Sequence, residues 1–310
     1  MIKRCAILCV LWASISISAQ TNIDSIIRSE NLAGGYAAMI NFAAEPDISA
    51  AKLRIEEPNG PDDTLRVLKF PLRHEFQLED KSWNPIIQST LSRFTLEATV
   101  PISSTEDLHT KWTAYSVTLG GGARIPISRH WSILPGIETG YAYLRNETEY
   151  GPIGDEFLKP ILAGKLFDWE AHAWMLNTHL ALLYNQMFRS LEIDASLSGT
   201  ASHISSFKTT SDLQQFEENI GTLSFKIDAT HPLGFSIGRY PMYGVGHYGH
   251  SSLIGDSSTN LGFRHLNEAG FSFKADIEHH GIPISSVSLG AMVLWGNNVS
   301  GWKILTGYRF

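Results

Sequence analysis

Leu223, Phe225, Ile227 and Ala229 alternate with Ser224, Lys226, Asp228 and Thr230, so this stretch can form a strand with one apolar and one polar face. Phe271 to His279 repeats the grammar, with Phe271, Phe273, Ala275 and Ile277 against Ser272, Lys274, Asp276 and Glu278. It recurs at Phe94, Leu96, Ala98, Val100 and Ile102, set against Thr95, Glu97 and Thr99, and at Leu191, Ile193, Ala195 and Leu197, set against Glu192, Asp194 and Ser196. Trp131, Ile133, Ile137, Tyr141 and Tyr143 oppose Glu138 and Gly140. Weaker strand candidates lie near 36–42, 65–72, 112–119, 157–166, 172–184, 235–243, 260–266 and 285–295, separated by turn-rich pieces such as 57–63 and Gly246 to Asn260. Beyond the first 20 residues no apolar block reaches the length of about 20 that a membrane helix needs. A mean hydropathy of −0.06 fits either a soluble β-protein or a membrane barrel, whose alternating strands average to near neutrality.

The N-terminus speaks to compartment. Lys3 and Arg4 precede an apolar run from Cys5 to Ala13, followed by Ser14, Ser16, Ser18, Ala19 and Gln20. This is the layout of a secretory signal peptide cut after Ala19. Cleavage takes 19 of the 310 residues, both cysteines and two of the 24 Lys and Arg, leaving 291 residues with 22 basic against 31 acidic groups. A cysteine-free exported chain is no disulfide scaffold, thiol enzyme or thiolate metal site. An acidic balance without clustered Lys and Arg argues against nucleic acid as a partner.

The last residues separate barrel from sandwich. Trp302, Ile304, Thr306, Tyr308 and Phe310 share one face, while Gly301, Lys303, Leu305, Gly307 and Arg309 share the other. A closing membrane strand buries such a face in lipid, and Trp112, Trp131, Tyr141, Tyr143, Tyr184, Trp295, Trp302 and Tyr308 are candidates for the aromatic girdles at the two interfaces. About 10 residues per membrane strand plus connections gives about 12 strands, with 10 or 14 as alternatives. The expectation is therefore an all-β, transmembrane antiparallel barrel over 36–310, after a signal peptide at 1–19 and a short plug or tail at 20–35.

The terminal pattern resembles the C-terminal signature of bacterial outer-membrane proteins, which the barrel-assembly machinery recognises. Together with the signal peptide and a barrel filling nearly the whole mature chain, it is similar to the translocator barrel of autotransporters, in particular the solitary barrels without a passenger. That resemblance implies a monomer in the Gram-negative outer membrane, with lipid and the assembly machinery as partners. It also implies a helix in the lumen, for which Asn22 to Arg28 is the candidate.

If the apolar faces meet lipid, the lumen carries Glu97, Glu138, Glu192, Asp194, Lys226, Asp228, Lys274, Asp276, Glu278, Lys303 and Arg309. Seven acids against four bases suit a narrow cation-preferring pore, or a set of charges that pair and close the lumen. The rival class is a lipid hydrolase, because His203-Ile204-Ser205 and His250-Ser251-Ser252 each place an imidazole and a hydroxyl on one strand face. Neither continues into the Asn and Gly that such outer-membrane hydrolases show, so the expected chain is non-enzymatic and without cofactor. His247, His250, His279 and His280 have no spacing that selects a metal. Gly120-Gly121-Gly122 reads as a turn or strand kink.

Overall fold

The structure, a computed structural model, describes residues 49–56, 61–78, 82–101, 107–152, 154–255, 261–277 and 285–309. Residues 1–19, the segment 20–35, the strand expected at 36–42, Ile102, Glu278, His279, His280 and Phe310 lie outside the described residues.

Twelve antiparallel strands make one closed barrel. They are β1 Ser49–Ile55, β2 Asp63–Glu75, β3 Asn84–Pro101, β4 Asp107–Pro126, β5 Trp131–Glu149, β6 Glu170–Phe188, β7 Leu191–Thr209, β8 Glu217–Ile237, β9 Tyr240–Ile254, β10 His265–Asp276, β11 Ser286–Gly296 and β12 Val299–Arg309. Each pairs with its sequence neighbours, and β1 meets β12 from Ser49↔Leu305 to Ile55↔Val299 to close the ring. Full closure leaves no sheet edge to template foreign strands.

One end of the barrel holds the start of β1 and the finish of β12, with two-residue turns at 189–190 and 238–239. The opposite, far end holds the longest connection, 150–169. Within that connection a single π turn, Gly154–Leu158, runs into a four-residue helix α1, Lys159–Leu162. Lys159 Nζ sits 2.9 Å from Asp155 Oδ1, and that carboxylate holds the ammonium above the ordinary lysine value. Leu158, Leu162 and Leu166 recur at a spacing of four, and Leu162 packs with Leu108 and Phe167 over the rim. The strand expected at 157–166 is therefore a helical turn, since that apolar spacing matches a helix face.

Alternation sets the two faces of the wall. On β2, Leu68, Phe70 and Leu72 are exposed outward, whereas Leu65, Val67 and Lys69 are buried inward. Outward Val117, Leu119, Leu180, Phe271, Phe273 and Leu289 continue the belt around the barrel. A contiguous apolar exterior of this extent suits lipid and would aggregate in water.

On β3 the expected period of two holds and the sides are exchanged. Phe94 and Ala98 are buried inside the barrel, and Thr95 and Glu97 lie on the outer side. Trp112, expected in a girdle, also turns inward and packs against the interior cluster. Both differences have one cause: the far half of the interior is filled with apolar side chains, so an apolar face there need not be a lipid face. Two further strands depart from expectation. β1 lies where no strand was anticipated, and β9 occupies the start of the supposed loop Gly246 to Asn260. The candidate 235–243 spans the β8 to β9 turn, where Gly238 takes a φ of 63° that suits a residue without Cβ.

Candidate functional site

The interior has two zones. In the far half, Leu53, Leu65, Phe94, Leu144, Met175 and Ile204 from the wall meet Trp169, Phe216, Leu261 and Phe263 from the connections in one buried apolar cluster. Trp169 is 1% exposed, and its indole N–H donates to the Leu166 carbonyl at 3.0 Å. The connection behind it is fixed by Asp168, whose N–H donates to Asn146 Oδ1 and whose Oδ1 accepts from the Thr148 N–H, both at 2.9 Å.

The half nearer the termini is polar. Glu138 accepts from Gln88 Nε2 and lies 3.9 Å from His179 Nδ1. Its second oxygen, with Asn177 Oδ1 and Thr118 Oγ1, is buried without a hydrogen-bond partner among the described residues. Farther from the termini, beside Leu294 of the apolar cluster, Lys303 Nζ donates to Glu268 Oε2 at 2.5 Å, joining β12 to β10 across β11. Asn185 Nδ2 donates to both Glu192 and Asp194. His247 links Asp228 Oδ1 to Ser272 Oγ, each at 2.7 Å.

Glu138, Glu192, Asp194, Lys226, Asp228, Lys274, Asp276 and Lys303 thus all lie on inward register positions. Glu97 does not. It pairs with Arg66 at 2.6 Å on the outer side, because the apolar residues of β3 claim the inside at that level. Arg309 closes β12 opposite Ser286, while Glu278 lies outside the described residues.

Gly120 to Gly122 form neither a turn nor a kink but run straight through β4 opposite Gly136, Ile137 and Glu138. At Gly120 a Cβ would collide with the Ile137 carbonyl oxygen and the Glu138 side chain. At Gly136 it would enter the His179 ring. These glycines make room for the Glu138 and His179 side chains, so Gly120→Val costs about 3 kcal/mol by overpacking against backbone that cannot withdraw. Urea unfolding of the refolded barrel reads it, and a variant matching wild type within about 0.5 kcal/mol refutes this role.

Two aromatic levels bracket the apolar belt. Trp131 and Tyr184, near the terminal end, approach to 4.8 Å, whereas Tyr115, Tyr141, Tyr143 and Phe207 stand toward the far end. Trp295 and Trp302 face outward at the far level of the shorter strands. Above the far level the long strands β3 to β5 carry charges around a cleft of about 940 Å³, lined by Glu97, Lys111, Arg145, Glu147, Asp168 and Thr210 among others. Arg145 pairs there with Glu147 at 2.9 Å.

A model of the solitary outer membrane autotransporter β-barrel domain matches residues 56–308. The chain belongs to this family. Its fold is shared by autotransporter translocators of known structure. The transport unit of AIDA-I from Escherichia coli superposes with a TM-score of 0.55 at 12% identity, covering 89% of this chain and 97% of that one. The β domain of BrkA from Bordetella gives 0.54 at 9%, covering 84% and 96%, and the NalP translocator domain from Neisseria meningitidis gives 0.52 at 11%, covering 95% and 100%. Identities this low establish shared architecture alone. No curated protein sequence matches the chain.

This solitary autotransporter barrel is an outer-membrane protein, and its final strand has the lipid-facing side expected of one. Trp302, Ile304 and Thr306 are exposed outward, with Lys303 inward between them. The features that spacing could not reveal are the apolar filling of the far lumen and the partners brought across strands, such as Glu268 to Lys303. The only sequence signal for the filling is apolar residues on both faces of β3 and β6.

Proposed function

We propose that this chain is an exported, monomeric resident of the outer membrane that acts as a sealed barrel, structural and surface-interacting, with a lumen that neither conducts solutes nor takes part in a reaction. The interior apolar cluster carries this reading. A channel needs a continuous wet path, and the buried cluster that includes Phe94, Trp169, Ile204 and Phe263 supports closure of the far half. The polar half is then a blind well that opens toward the termini. The mixed charges inside the barrel tie strands together in this reading, as Lys303 and Glu268 do.

Longer connections at the far end support placing it outside the cell, since bacterial barrels keep short turns on the periplasmic side. The charged rim cleft then becomes the surface offered to partners. The basic and apolar residues 1–19 support export through a signal peptide, and the outward side of β12 supports recognition by the barrel-assembly machinery.

Planar-bilayer recording tests the seal. Refolded protein is expected to give no sustained conductance step between −100 and +100 mV, values chosen at about the scale of membrane potentials. Regular steps with cation preference would establish the narrow pore instead.

A further inference from the structure

The outer wall carries an arrangement that spacing alone does not disclose. On β9, Ser252 and His250 lie two apart on the outward side, and His250 Nε2 is 3.0 Å from Ser252 Oγ. The register of β9 with β10 sets Asn267 opposite His250, with Oδ1 at 2.8 Å from His250 Nδ1. Asn267 Nδ2 donates to the Trp295 carbonyl at 3.3 Å. That bond fixes the direction of the whole chain. With its NH2 spent on Trp295, Asn267 presents its oxygen, which accepts from His250 Nδ1–H. The neutral imidazole therefore offers Nε2 as an acceptor, and Ser252 Oγ–H donates to it. His265 Nδ1, 2.9 Å from Ser252 Oγ, supplies the remaining donor to the hydroxyl.

We propose that Ser252, His250 and Asn267 form a hydrolytic site for carboxylic esters of membrane lipids, reached sideways from the bilayer. An orienting amide, a base poised on one tautomer and a hydroxyl within reach of that base are the parts of an activated serine nucleophile. The surroundings define the substrate. Ser252 pairs across the sheet with Leu223, His250 with Phe225 and Asn267 with Trp295, and these three apolar neighbours are exposed on the wall. Trp295 belongs to the far aromatic level, the depth at which headgroups and ester carbonyls lie. Ser252 Oγ attacks the ester carbonyl carbon while its proton passes to His250 Nε2. The acyl–oxygen bond breaks as that proton goes to the departing alcohol oxygen. Water, deprotonated by the same imidazole, then releases the carboxylic acid and restores Ser252.

Accessibility separates this site from two relatives in the same wall. Ser272, His247 and Asp228 align equally well inside the lumen, but Ser272 is 1% exposed and no ester reaches it. His203 accepts orientation from Asn219 at 3.0 Å, yet its other nitrogen faces Glu217 at 3.8 Å rather than Ser205. The inference adds chemistry to the lipid side of the barrel and is independent of whether the lumen is sealed.

The test uses the refolded full chain in two sets of vesicles, one of phosphatidylethanolamine and phosphatidylglycerol, the other with lipopolysaccharide added. Fatty-acid release is measured, and a fluorophosphonate probe is located by peptide mass spectrometry. Expected results are release from at least one vesicle type, an adduct on Ser252, and loss of release by about a hundredfold or more in Ser252→Ala and His250→Asn. The two vesicle types tell glycerophospholipid from lipid A esters. Ser272→Ala, inside the lumen, leaves both readouts unchanged, and heat-modifiable gel mobility shows that each variant is folded. A Ser252 that stays unlabelled, or release unaltered by Ser252→Ala, overturns the proposal.

Discussion

Lys303→Ala is expected to lower the unfolding free energy of the refolded barrel by about 3–5 kcal/mol, the range for stripping one partner from a buried ion pair. The side chains of Lys303 and Glu268 are 4% and 15% exposed, so water does little to screen the carboxylate left behind. The Glu268 carboxyl group also lies where a Cβ on Gly249 would be, so the absence of a side chain there makes room for the pair. The double variant Lys303→Met with Glu268→Leu is expected to recover most of the loss, because removing both charges removes the desolvation cost together with the attraction. Denaturant midpoints followed by tryptophan fluorescence measure both variants. A single-variant loss below about 1 kcal/mol, or a double variant no better than the single, would show that the pair does not hold β12 to β10.

Trp169→Ala is expected to cost a similar amount, about 3–5 kcal/mol, through lost burial and the cavity that an indole leaves. Its effect should also be local. Trp169 anchors the connection 150–169 to the interior, so its removal frees Lys165 for trypsin. Lys159 is followed by Pro160 and stays resistant. Cleavage of the variant at Lys165, with wild type intact under the same digestion, is the expected pattern. Equal resistance of the two proteins would place the anchor elsewhere in the cluster.

Much of the architecture was legible because a membrane wall imposes a two-residue period that survives in the sequence. On β5, β8, β10 and β12 the period of two is read correctly, and Glu138, Lys226, Asp228, Lys274, Asp276 and Lys303 take inward register positions. β3 and Trp112 did not, since alternation reports that two faces differ and not which of them is outside. Where the interior is itself apolar, hydrophobicity loses its sign. β9 was hidden by Gly244, Gly246 and Gly249, which look like loop residues. At Gly249 the register shows the reason for a glycine, since the Glu268 carboxylate occupies that space. The outer-wall site was half visible. His250 and Ser252 are two apart in the chain, but Asn267 joins them only through the register of two strands, and no spacing rule encodes register across the connection 255–264.

The closing ladder between β1 and β12 has a kinetic meaning. Among the described residues β1 contributes 7 positions, and it joins the two ends of a sheet that spans more than 250 residues of chain. Every other ladder is a hairpin that forms from neighbours in sequence. This one gathers the largest loop-closure entropy for seven residue pairs among the described residues, the same number as in the β1–β2 hairpin. It is therefore the last ladder to zip and the first to open, and the rate at which the barrel matures or unravels is set at that seam.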